Sequence, residues 1–170
     1  MADFPGILHG TGLGFGIARF FSEAGARVII TGRRDEVLSN ACLRLGDNVY
    51  CVVNDVTDLE SLPVLLEVIE TSFGEIEILV NNAGAHLKKN LLEVSDDEFQ
   101  KVIQTNLNGV FALTREVGRK MSERKKGSII MITSMAALYG IPKVCAYSAA
   151  KSALLGLVRS PVDGGNSIGF

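Results

Sequence analysis

Gly10-Thr-Gly-Leu-Gly-Phe-Gly16, then Ile17-Ala-Arg-Phe-Phe-Ser-Glu-Ala24, then Arg27-Val-Ile-Ile-Thr31 beyond Gly25, set three kinds of local structure in a row. The first is a glycine-rich turn. The second has amphipathic spacing and stops at a glycine, a residue that ends helices readily. The third is short, β-branched and flanked by glycines, as a strand should be. A glycine turn at the start of a helix lets backbone approach a pyrophosphate, whose charge is favoured by the helix dipole and the unpaired N–H groups. The alternation continues outward. Val49-Tyr-Cys-Val-Val53 reads as a strand ending at Asn54-Asp55, and Leu59 to Phe73 has helical periodicity. Glu75-Ile-Glu-Ile-Leu-Val80 reads as the next strand and runs into Asn81-Asn-Ala-Gly84. Ser95-Asp-Asp-Glu98 is a capping signature, which starts a helix running to about Ser122. Alternating strands and helices imply parallel strands with right-handed crossovers, hence an α/β fold with a doubly wound parallel sheet covered on both faces. This three-layer, Rossmann-like arrangement is expected as a single domain over residues 1–170, since no internal repeat, low-complexity tract or linker divides the chain.

The 170 residues are 47% hydrophobic and 21% charged with a net charge of -2, an ordinary globular composition that gives no basic footprint for nucleic acid or an anionic membrane. Arg119-Lys-Met-Ser-Glu-Arg-Lys-Lys126 is read as a solvated helix end, its cations complementing the dipole. Cys42, Cys51 and Cys145 lack paired spacing, which fits reduced thiols; with no signal peptide or membrane anchor in view, the cytoplasm is expected. No metal is expected.

The chemistry lies further on. Ser128-Ile-Ile-Met-Ile-Thr133 reads as a buried parallel strand, and Ser134 follows at its carboxyl end, where open α/β sheets bind ligands. Tyr147 and Lys151 stand four apart, so on a helix they share one face and the ammonium can stabilise a phenolate. Ser134, Tyr147 and Lys151 at this spacing, Asn81-Asn82-Ala83-Gly84, and Asn106 within Gln-Thr-Asn-Leu-Asn-Gly together resemble the motifs of the short-chain dehydrogenase/reductase family, in the family's order.

That resemblance implies reversible hydride transfer between a nicotinamide cofactor and a carbonyl or secondary alcohol. Tyr147 would be the general acid, Lys151 would assist it and bind the nicotinamide ribose, Ser134 would steady the substrate oxygen, and Asn106 would hold a water relaying protons toward Lys151. The cofactor would be held by Gly10, Thr11, Gly12, Leu13 and Gly14, by Asp55 and Val56, and by Asn82, Ala83 and Gly84, besides Tyr147 and Lys151. Sites selecting NADH place a carboxylate about 20 residues after the glycine turn. Here Gly32 holds that position and Arg33 and Arg34 follow, so NADPH is expected over NADH, with Arg33 the stronger candidate for the 2′-phosphate. The substrate stays open among a sugar acid, a small ketone and a 3-oxoacyl thioester, lined by Ala85-His-Leu-Lys88 and Leu138-Tyr-Gly-Ile141. His86 reads as an ordinary loop histidine. The resemblance also implies a homotetramer built on the two long helices.

Two places depart from the family pattern. Ile7-Leu8 stands where Thr-Gly is expected before Gly12, which puts the first strand and the start of the phosphate turn in doubt. Ser160 runs straight into Pro161-Val-Asp-Gly-Gly165, which resembles the family's last strand and turn, so about 80 residues of the usual domain are expected to be absent there. The altered turn also keeps open a non-catalytic nucleotide-binding or scaffold protein.

Overall fold

A computed structural model describes the backbone of residues 6–9 and residues 12–160. Five strands, β1 (Gly6–His9), β2 (Val28–Gly32), β3 (Val49–Val53), β4 (Ile78–Asn81) and β5 (Ser128–Met131), form one parallel sheet in the order β3-β2-β1-β4-β5. The first strand, in doubt from the sequence, sits at the centre: Gly6 to His9 pair with Val28 to Thr31, and Gly6 and Ile7 also pair with Ile78 and Leu79. Four residues suffice because both neighbours supply ladder partners.

Helices α1 (Leu13–Glu23), α2 (Asp35–Leu45), α3 (Leu62–Phe73), α4 (Asp96–Ile103), α5 (Gly109–Glu123) and α6 (Cys145–Val158) cover the sheet. Successive strand side chains point to opposite faces, and the two cores follow that alternation. Ile29 and Leu79 face Leu62, Leu66 and Ile69 of α3 and Leu113, Val117 and Met121 of α5. Val28, Ile30 and Val80 face Ala18 of α1 and Leu38, Ala41 and Leu45 of α2. Burial of each large aliphatic side chain contributes about 1.5–3 kcal/mol, which is why β2 is buried along its whole length.

Strand order reverses between β1 and β4, one neighbour leading toward β2 and the other toward β5. A crevice opens at the carboxyl ends of such a pair. Gly12, at φ 59, starts α1 on one side of it, and Asn81 to Gly84 leave β4 on the other. Asn81 is buried and ties the layers together, its amide donating to Thr114 Oγ1 of α5 at 3.0 Å.

The long helix read from Ser95 to about Ser122 is present but not uniform. Ser95 and Glu98 form the reciprocal capping box, α4 follows, and residues Gln104–Asn108 are π-helical before α5 resumes. Gly109 is required there by close approach: a Cβ would lie 2.4 Å from the carbonyl oxygen of Val56. The helix α2 was not anticipated from the sequence. It packs Cys42 near Cys51 of β3, and burial together with a hydrogen bond to that thiol pushes the Cys42 thiol up to about 12, which keeps it protonated and unreactive. No helix among the described residues is long and apolar enough to cross a membrane.

Candidate active site

Strand β5 ends at Met131, and three residues later Ser134 caps a short 3-10 turn, Met135–Ala137. Its Oγ accepts from the Ala136 N–H at 3.2 Å, so the hydroxyl proton remains to be donated; no donation by it is present among the described residues. Tyr147 and Lys151 lie in the first half of α6, and the Lys151 Nζ stands 5.8 Å from the centre of the Tyr147 ring. Lys151 is only 3% exposed, and its ammonium donates to the Ile132 carbonyl at 2.8 Å. Burial lowers its pKa below that of an ordinary lysine. The expected trio thus gathers at the carboxyl edge of the sheet, with the cation close to the phenol ring.

Asn106 lies in the π-helical segment and is fully buried. Its amide donates to Ala85 O at 2.9 Å and to Val102 O at 2.8 Å, while Oδ1 accepts from Ala85 N at 3.2 Å. Both backbone groups of Ala85 are therefore clasped by one side chain. A Cβ on Gly84 would stand 2.9 Å from Asn106 Oδ1 and 3.8 Å from Lys151 Nζ, so glycine there keeps the amide and the ammonium facing a common space.

Further along the crevice is a cleft of about 180 Å³ lined by Gly32, Arg33, Arg34, Asp55, Val56 and Gly84. Arg33 meets Asp55 at 3.7 Å. Burial would raise the Asp55 carboxyl, but hydrogen bonds from the Thr57 N–H and hydroxyl, with the Arg33 guanidinium, outweigh it and hold the group below the usual carboxylate value. Gly12 supplies no side-chain cap to α1, which leaves the helix N-terminus open to an anion, and Leu13 and Gly14 form its first turn. Gly10 and Thr11 lie outside the described residues. Glycine at the helix start, glycine beside the ammonium and arginine at the far cleft fit an extended dinucleotide.

The model of the short chain dehydrogenase family matches residues 9–163. The chain belongs to this family. Among curated proteins it is similar to the 3-oxoacyl-[acyl-carrier-protein] reductase of Salmonella typhimurium, 38% identical over 149 residues, covering 88% of this chain and 61% of that protein. An uncharacterised oxidoreductase of Thermotoga maritima is 35% identical over 154 residues, covering 89% and 61%. The chain thus spans about three-fifths of the length of these relatives. Among solved structures, an actinorhodin polyketide ketoreductase with NADPH superposes with a TM-score of 0.89 at 29% identity, covering 92% of this chain and 63% of that one. Serine dehydrogenase from Escherichia coli gives 0.85 at 32% identity, covering 93% and 74%.

Sequence reasoning missed one neighbour of the site. The His86 imidazole stacks on Tyr147, with ring centres 3.9 Å apart and planes 24° from parallel. Nothing local could have shown it, because the contact joins the loop after β4 to a helix distant in sequence.

Proposed function

We propose that this dehydrogenase reduces a carbonyl substrate with NADPH, or oxidises the corresponding secondary alcohol with NADP. The observation that carries the reading is the meeting of a buried, carbonyl-anchored Lys151 with the Tyr147 ring, close in sequence to a serine whose hydroxyl proton is available. When bound, the nicotinamide supplies or takes up the hydride. Tyr147 donates the proton to the substrate oxygen in reduction, and Lys151 stabilises the phenolate that remains. Ser134 donates a hydrogen bond to the same oxygen and orients it for attack. Asn106 and Lys151 hold a water between them beside Gly84, through which the proton is restored.

Gly10, Thr11, Gly12, Leu13 and Gly14 hold the pyrophosphate. Asp55 and Val56 flank the adenine, while Asn82, Ala83 and Gly84 pass beside the nicotinamide half. Arg33 and Arg34 take the 2′-phosphate, a charge-assisted pairing suited to a planar guanidinium. The names of two relatives, an NADPH-bound ketoreductase and a reductase of 3-oxoacyl thioesters, support both the cofactor and a 3-oxoacyl substrate. Exposed Met135, Leu138, Tyr139 and Ile141 beside Ser134 offer apolar surface for an acyl chain.

Residues 1–170 are read as one dinucleotide-binding unit that associates into a homotetramer. Val102, Leu113 and Leu154 are buried within the chain itself, but Phe111 is exposed and Leu155, Leu157 and Val158 are half-buried, leaving apolar surface on α5 and α6 for a second copy. The deciding experiment measures NADPH oxidation with a short 3-oxoacyl thioester, a small ketone and a keto sugar acid. Turnover of the thioester is expected; no oxidation with any of them, under NADPH or NADH, would overturn the proposal.

A further inference from the structure

We infer that His86 is a positioning residue that fixes the ring of Tyr147 for proton transfer, an inference that rests on Tyr147 being the proton donor. His86 is exposed, yet its place is not that of a free loop residue. On one side, both backbone groups of Ala85 are held by the buried Asn106 amide. On the other, the Lys89 N–H donates to the Lys143 carbonyl at 2.8 Å, just before α6, and the Lys89 ammonium bridges to Glu98 at 2.9 Å. The loop is therefore pinned at 85 to the helix that carries Asn106 and at 89 to the residues that lead into the helix carrying Tyr147. Between the pins the imidazole lies nearly flat on the phenol ring, 3.9 Å away.

Tyr147 is half-buried, and His86 is its one aromatic contact among the described residues. A phenol on a helix surface can rotate about two side-chain bonds, and a stacked ring removes much of that freedom. Proton transfer demands a hydroxyl within hydrogen-bond reach of the reacting oxygen, so small losses of alignment appear in the rate. The requirement is a flat ring and not a base. Phenylalanine should therefore replace His86, and alanine should not.

The test compares steady-state kinetics of the full chain, His86→Ala and His86→Phe with NADPH and the best carbonyl substrate. For His86→Ala, kcat is expected to fall about two- to ten-fold, the range an aromatic pair accounts for, with KM for NADPH unchanged. His86→Phe should recover kcat to near wild type. An unaltered kcat in His86→Ala, or a His86→Phe as poor as His86→Ala, would overturn the inference, the second result assigning the effect to the imidazole nitrogens. If the wild-type protein turns over no carbonyl, the proposed function fails by itself, and the stack is judged by NMR. The His86 ring protons are then expected upfield of free histidine and to lose that shift in Tyr147→Leu; no upfield shift in the wild type would remove the contact on which the positioning role depends.

Discussion

At the reactive end of the crevice two polar side chains are out of water, Asn106 at 0% and Lys151 at 3% exposure, and each is committed to a backbone partner. At the far cleft, proposed to take the adenosine, Arg33 and Asp55 keep 69% and 36% of their side-chain surface exposed and meet at 3.7 Å. A buried amide or ammonium that loses its partner costs the full desolvation of what is left behind. A pair of exposed charges contributes little, because water replaces either partner. Under the proposed function, the contrast is a division of labour in which the acid is backed by buried groups that cannot move and the choice of cofactor rests on groups that can be exchanged cheaply.

The sharpest way to break the contrast is at the reactive end. Tyr147→Phe should lower kcat by about 10²–10⁴-fold, the usual share of a positioned acid, while NADPH still protects the variant from thermal unfolding. Activity within ten-fold of wild type would remove Tyr147 from its role. Next in size, Asn106→Ala strands the N–H and C=O of Ala85, and about 1–3 kcal/mol of stability should go with them, read from urea denaturation. A loss below about 0.5 kcal/mol would mean that the clasp is replaced by water, and that the two ends differ less than their burial indicates.

The adenosine end should respond more gently. Arg33→Ala should reduce the ratio of kcat/KM for NADPH over NADH by about ten-fold, an exposed charge-assisted pair lost, with melting temperature unmoved. An unchanged ratio would pass the 2′-phosphate to Arg34 or to neither. The smallest effect concerns Asp55, whose folded pKa is depressed. Its contribution is fully present above the ordinary carboxylate value and is lost as pH falls through the lower folded value. The difference in stability between wild type and Asp55→Asn should therefore be about 0.5 kcal/mol near neutrality and shrink as the pH falls below the ordinary carboxylate value. A difference that grows on acidification would reverse the sign.

Much of this was legible in the residues. Val49–Val53 is the third strand as read, the Ser95 and Glu98 capping box forms with both hydrogen bonds, Ser134 follows the end of β5, and Lys151 stands beside the Tyr147 ring. Helix α2 escaped because only Leu38, Ala41 and Leu45 of its residues are buried, a thin stripe in a polar segment. Helix α1 starts at Leu13, four residues before the reading from sequence, since Gly14 and Gly16 are poor helix formers that are helical here nonetheless. The doubt over β1 came from Ile7-Leu8 standing where the family pattern has Thr-Gly, yet the strand forms and pairs with a neighbour on either side. The stacking of His86 on Tyr147 and the hold of Asn106 on Ala85 are contacts across the fold, which no local pattern encodes, although the motif around Asn106 marked that residue itself.

The π-helical stretch at 104–108 amounts to one residue spliced into an otherwise regular rod. Each residue turns a helix by about 100°, so everything from Gly109 onward is out of phase with α4 by that angle. The same splice that turns Asn106 inward therefore also decides which side of α5 meets the sheet, and Gly109 lands against Val56 because of it. Insertions and deletions in this stretch are thus coupled: removing one residue would heal the rod, yet it would rotate a well-packed helix off its own core. A local irregularity that looks optional is locked in place by the ordinary packing of α4 on one side of it and α5 on the other.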